Sequence, residues 1–196
     1  MSVPTPGLPG PHVLIVCTAN QCRSPLAEAI ALDLCRRADR PLRLGSAGTR
    51  AVDGAPATDG AIATARKLGL DLTGHTSRRV TADLVGGSDL ILGMVARHVT
   101  ELVGGHGAEL ARTYTLPELA RLAVTNDPRE PDESFSQWLR RLNDGRSPTD
   151  ALAAEEIDDP IGRSMRRYRA AAELISTSLS TVTAALWAVE PRRPSR

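Results

Sequence analysis

Val13-Leu14-Ile15-Val16-Cys17-Thr18-Ala19-Asn20-Gln21-Cys22-Arg23-Ser24-Pro25 decides how the rest of the chain is read. Val13 to Val16 is a continuous apolar run, β-branched at three of its four positions, as a strand covered on both faces requires. Ser24, Pro25 and Glu28 have the form of a helix opening: a capping hydroxyl, a proline in the first turn, then an acid. Between strand and helix lies a short loop that begins at Cys17 and, five residues on, ends at Arg23. A loop at a helix N-terminus offers several backbone N–H groups to one anion. An arginine there adds a two-pronged donor for phosphate oxygens. A cysteine in the same place serves as a thiolate. A thiolate beneath a bound oxyanion is the machinery of phosphoryl transfer through a cysteinyl-phosphate.

Outward from this loop the chain alternates strands and helices. A helix is expected from Ser24 to Ala38, with Leu26, Ile30 and Leu34 on one face and Pro41 as its breaker. A second strand follows at 42–47. A helix is read at 57–69 and a short one at 80–86, then a buried strand at 89–94 and a helix at 96–103. A fourth strand, 112–116, leads into a helix opened by Leu116-Pro117-Glu118. The last helix carries Met165, Tyr168, Ala172, Ile175, Leu179, Val182 and Leu186 as one apolar stripe that should pack on the sheet. Strands alternating with helices predict an α/β domain: a three-layer αβα sandwich around a four-stranded parallel sheet, with the phosphate-binding loop after strand one. Ligands of such sheets bind at the carboxyl ends of the strands, where Cys17 lies.

With 196 residues, the chain is read as one domain over 12–187, between a Pro/Gly-rich disordered tail at 1–11 and a mobile tail at 188–196. Residues 126–157 break the alternation and read as an insertion before the final helix, a lid or a mobile segment. Within it, Ser134 to Leu142 forms a short amphipathic helix through Phe135, Trp138, Leu139 and Leu142, and 150–157 reads as another helical piece. The net charge of +1 gives no bulk drive towards nucleic acid or membrane. The three cysteines, Cys17, Cys22 and Cys35, do not form a secreted disulfide framework. No stretch reaches the ~20 apolar residues of a membrane span, and the N-terminus lacks the regions of a signal peptide. A cytoplasmic protein, monomeric or weakly dimeric, is expected. His12, His98 and His106 have no partner pattern, so no metal and no cofactor are expected.

A leaving group expelled from phosphorus needs a proton, and Asp158-Asp159-Pro160, directly before the last helix, is the candidate source. By spacing alone either aspartate serves. Asp127-Pro128 has the same form but stands too early.

Cys17-x5-Arg23-Ser24-Pro25 with Asn20 and Cys22, placed after the first strand, resembles the low-molecular-weight protein tyrosine phosphatase family. The resemblance implies a cysteine-dependent phosphatase acting on phosphotyrosine in proteins. Cys17 is then the nucleophile, Arg23 the phosphate clamp, and residues 18–23 (Thr18, Ala19, Asn20, Gln21, Cys22, Arg23) the phosphate cradle. It selects Asp159 as the acid. Ser24 would hydrogen-bond the thiolate, and the Asn20 side chain would brace the loop against Ser46 and His75. Cys22 would be the redox partner of Cys17, while Cys35 packs. Other readings share the loop. A protein-arginine phosphatase stands nearest, because Gln21 fits neither the phosphotyrosine nor the phosphoarginine pattern. An arsenate reductase needs further relay cysteines, and none follows Cys35. An inactive phospho-binding module conflicts with intact Cys17, Arg23 and Asp159. The family's aromatic walls are missing: Ile161-Gly162 follow the acid, and Arg50-Ala51-Val52-Asp53 follow Thr49. Phe135 or Trp138 would supply them if the insertion folded over the site.

Overall fold

Four short strands run in one direction: β1 (His12–Cys17), β2 (Arg43–Gly48), β3 (Leu90–Gly93) and β4 (Thr113–Thr115). They stand in the order β2-β1-β3-β4, all parallel, with Cys17 opposite Gly48 and Val16 opposite Gly93. The computed structural model describes residues 10–40, 42–146 and 156–187. Residues 1–9 of the predicted tail at 1–11, the predicted tail at 188–196, Pro41, and most of the predicted 150–157 helix lie outside them.

The apolar run of β1 behaves as its sequence dictates. Val13, Ile15 and Cys17 face one buried cluster, and Leu14 and Val16 face another. Side chains alternate across a strand, so a run without polar interruption must be covered twice. The helices that cover it are, in chain order, α1 (Arg23–Ala38), α2 (Asp59–Lys67), α3 (Ala82–Gly86), α4 (Ala96–His106), α5 (Leu116–Thr125), α6 (Phe135–Asp144) and α7 (Met165–Trp187). Residues of α1, α2, α5, α6 and α7 fill the first cluster, and Val85 of α3 and Leu102 of α4 join the second. The predicted stripe of α7 is buried at Tyr168, Ala172, Ile175, Leu179, Val182 and Leu186, whereas Met165, at the first residue of the helix and before its packed turns, is exposed.

The start of α1 and the device that stops it at the expected Ala38 differ from the sequence reading. α1 begins at Arg23, with Cys22 at the cap position and no side-chain cap bond; the Ser24 hydroxyl is engaged elsewhere. α1 ends before Pro41, because Asp39 turns left-handed (φ 51°) and its N–H and that of Arg40 bond back to Arg36 and Cys35.

Residues 126–146 are part of the domain's packing. Trp138, Leu139 and Leu142 are buried in the first cluster, and the Arg129 N–H and guanidinium bond to Ala185 and Leu186 at the end of α7. Phe135 stands beside Pro11 and Leu42, ahead of the amino ends of β1 and β2. The Cys17 loop is at the opposite end of the sheet, so neither Phe135 nor Trp138 walls it.

Candidate active site

The loop after β1 is held from outside by its carbonyls. Cys17 O accepts from Thr49 N, Thr18 O from Arg50 N, Gln21 O from Thr58 N and Cys22 O from Leu26 N, at 2.8–3.1 Å. Asn20 O accepts from His75 Nε2 at 2.7 Å. In a trans peptide the N–H of the next residue points opposite to the carbonyl. Outward carbonyls therefore turn the N–H groups of Thr18, Ala19, Gln21, Cys22 and Arg23 to the inside, where they form a concave cluster of donors at the start of α1. Asn20 makes the bend, with φ 54°. Asparagine is among the few residues that take this left-handed conformation readily. Gly48 is required beside it: a Cβ there would lie 2.6 Å from Thr18 O and 2.8 Å from Asn20 N.

Asn20 is fully buried and every polar atom of it is engaged. Its N–H donates to Cys17 Sγ at 3.2 Å. Its amide nitrogen donates to Ser24 Oγ and to Ser46 Oγ, both at 2.9 Å, and its Oδ1 accepts from Arg78 N at 2.9 Å. A backbone N–H can only donate, which fixes the orientation of the amide. Ser46 Oγ in turn donates to Glu28 Oε2 at 2.6 Å. Ser24 Oγ, supplied by Asn20, lies 3.0 Å from Cys17 Sγ, with Ala47 O at 3.3 Å as the alternative acceptor. The result is a hydrogen-bonded chain from Asn20 through Ser24 to the sulfur, anchored by Glu28 through Ser46.

Arg23 is buried. Its Nη1 donates to Ile157 O at 3.0 Å and its Nη2 to Asp159 Oδ2 at 2.6 Å. Its Nε is buried without a partner, a donor fit for a ligand oxygen. The segment before α7 is itself fixed: Ile157 N donates to Met94 O, and Glu156 Oε1 accepts from Ala96 N at the start of α4. Asp159 Oδ1 accepts from Ile161 N. Asp158 is exposed. Asp127 belongs to the far segment, where Arg141 bonds its carbonyl.

Cys22 and Cys35 are buried thiols. Burial, with the neighbouring Cys17 next, pushes the Cys22 thiol up to about 12. Burial also raises Cys35. Among the described residues no group of three or more His, Cys, Asp or Glu is placed to hold a metal ion. No helix among them is long and apolar enough to cross a membrane.

The structure thus brings Cys17, Asn20, Cys22, Arg23, Ser24, Ser46, His75 and Asp159 around one loop. His75 reaches it by a different route from the one expected, through the backbone carbonyl of Asn20. Three residues of the site had no functional reading in the sequence. Glu28 counted only as a first-turn acid, Arg78 supplies the amide that orients Asn20, and His98 Nε2 lies 3.1 Å from Thr18 Oγ1. No spacing rule announces them, because each acts from a different element. A cavity of about 630 Å³ opens behind the brace, lined by Glu28, Ser46, His75 and Arg78 among others.

Comparison with known proteins agrees with this geometry. Residues 12–145 match the family model described as low molecular weight phosphotyrosine protein phosphatase. The low molecular weight protein-tyrosine-phosphatase Etp of Escherichia coli K12 is 36% identical over 156 residues, 80% of this chain and 81% of its own. The crystal structure of a low molecular weight protein tyrosine phosphatase from T. tengcongensis superposes with a TM-score of 0.70 at 25% identity, over 90% of this chain and all of that one. The YwlE arginine phosphatase from Geobacillus stearothermophilus shares the fold, with a TM-score of 0.66 at 22% identity over 88% of this chain and 90% of its own.

Proposed function

Because the chain belongs to the low molecular weight phosphotyrosine protein phosphatase family, and so is an enzyme that hydrolyses phosphotyrosine in proteins, we propose the following roles for its residues. Cys17 attacks phosphorus in line and forms a cysteinyl-phosphate. The inward N–H groups of the loop and Arg23 hold the equatorial oxygens, where the transition-state charge is spread. Asp159 gives its proton to the departing phenolate and then, as carboxylate, takes one from the water that hydrolyses the phosphoenzyme. Ser24 donates to the sulfur and so keeps it a competent leaving group in that second step.

The observation that carries this reading is the contact of Cys17 Sγ with Asn20 N–H and Ser24 Oγ, at 3.2 and 3.0 Å, inside a ring of donors. The pairing of Asp159 with Arg23 at 2.6 Å supports Asp159 over Asp158 as the acid. That carboxylate is 42% exposed, so the pair exchanges readily when a phosphoryl group competes for Arg23.

The test is turnover of p-nitrophenyl phosphate and of phosphotyrosine and phosphoarginine peptides. Cys17→Ser should abolish turnover and leave phosphate binding. Asp159→Asn should slow phosphotyrosine peptides far more than the activated ester. Turnover by Cys17→Ser, or the same signature in Asp158→Asn, would overturn the corresponding assignment. A wild-type preference for phosphoarginine would replace the substrate.

Peroxide would convert Cys17 to a sulfenic acid, and the Cys22 thiol would displace water from it to form a disulfide. Cys22→Ser should then make peroxide inactivation irreversible by dithiothreitol; unchanged recovery speaks against this role. The working form is cytoplasmic, a monomer or weak dimer that meets phosphorylated protein without nucleic acid or membrane; gel filtration and cell fractionation check it.

A further inference from the structure

His98 sits on α4, in a position that the reaction described above does not use. It is completely buried. Its Nδ1 accepts from Met94 N–H at 3.2 Å. That bond places the ring proton on Nε2, which lies 3.1 Å from Thr18 Oγ1 in the phosphate loop. Arg97 Nη2 donates to the same oxygen at 3.4 Å. Both acceptor positions of the Thr18 hydroxyl are then filled from one side. The fold makes room for the ring: a Cβ on Gly93, the last residue of β3, would meet His98 Cβ at 3.0 Å. The charged groups around it are Arg23, Arg97 and Glu101. Burial first, then Arg23 and Arg97, push its titration down to about 4, so the neutral donor form holds across the working range.

We propose that His98 is a positioning residue of the phosphate loop: through Nε2–H it holds the Thr18 side chain, and with it the residue whose backbone N–H is the first donor turned to the anion. The proposal rests on the phosphatase reading of the same loop and adds a second brace to it. Asn20, Ser46 and His75 hold one side of the loop, and His98 holds the other, from across the crevice between β1 and β3. A ring that merely filled space beside Gly93 would not need its two nitrogens committed to Met94 and Thr18.

The experiment is a double-mutant cycle of His98→Leu and Thr18→Val, with His98→Gln as the conservative variant. kcat and KM for p-nitrophenyl phosphate, the inhibition constant of inorganic phosphate and the melting temperature are read for each. His98→Leu and Thr18→Val should each lower kcat/KM and phosphate affinity about tenfold, the scale of one hydrogen bond. The double variant should lose about as much as either single, because both act at one oxygen. His98→Gln, with an acceptor for Met94 and a donor for Thr18, should recover most of the loss. Losses that multiply in the double variant would overturn the proposal. So would a His98→Leu protein that melts lower while keeping wild-type kcat and phosphate affinity. If His98→Leu fails to fold, Thr18→Val and His98→Gln still decide it: wild-type phosphate affinity in Thr18→Val overturns it. Phosphate affinity tests His98 independently of turnover, which tests the phosphatase reading.

Discussion

Arg23 and Arg146 are almost equally buried, with 3% and 6% of their side chains exposed, and they are used in opposite ways. Arg146 spends everything on the protein. Its Nε and Nη2 grip the two oxygens of Glu118 at 2.7 and 3.0 Å, its Nη1 donates to Leu110 O, and its Cζ lies over the Tyr114 ring, 4.5 Å from the centroid. Glu118 also closes the capping box that starts α5. Arg23 holds Asp159 by one nitrogen and a backbone carbonyl by another, and keeps Nε in reserve. A guanidinium whose donors are all matched fastens structure. One that keeps a buried donor unmatched, beside a partner half open to water, is set up to receive something else.

Three measurements sharpen the contrast. Removing the partner of Arg146 should have the largest effect, since it strands a buried cation. Glu118→Ala should destabilise the fold by about 3–5 kcal/mol in a denaturant melt, while kcat per folded molecule stays at wild type. A loss of kcat in the folded fraction would show that the two arginines are coupled. Replacing the other cation reverses the pattern: Arg23→Lys should cost about 10²–10³ in kcat with a small change in stability. An equal loss from Arg146→Lys would erase the distinction. Acid should act on the Arg23 side through His98. The folded imidazole titrates at about 4 and the unfolded one at its ordinary 6.5. The unfolded chain therefore binds the extra proton between these values, and stability present above pH 6.5 is lost as pH falls towards 4, by up to about 3 kcal/mol. His98→Gln should flatten that part of the pH–stability curve; an unchanged slope would assign it to other groups.

Much of this was legible in the letters of the chain, for identifiable reasons. An uninterrupted apolar strand has one solution, burial on both faces, and Val13–Val16 takes it. The Cys17–Arg23 spacing is local, so the loop and its chemistry are visible in thirteen residues. Asp159 stood level with Asp158 by spacing alone, the resemblance chose Asp159, and the fold pairs that residue with Arg23 across from α1. Trp138 shows where pattern runs out. Phe135, Trp138, Leu139 and Leu142 declare an apolar face, and nothing local says which surface will cover it; the answer, the end of the sheet away from Cys17, is tertiary. His98 was illegible for a related reason. A histidine in the helical segment at 96–103 looks the same whether it points to water or is buried against Gly93, and only the approach of Thr18 from another element gives it a task.

The carbonyl ties of the phosphate loop have a consequence for how the molecule assembles. Apart from the local Cys22–Leu26 bond, they run to the end of β2, to the start of α2 and to His75, which is 55 residues from Asn20 along the chain. Each needs a chain closure over a long span, and such closures come late in folding because their entropy must be met before they contribute. The donors around Cys17 are thus ordered only when the sheet and its neighbours are in place. Catalytic competence on refolding should trail the return of helical signal, which makes turnover a reporter of the finished fold.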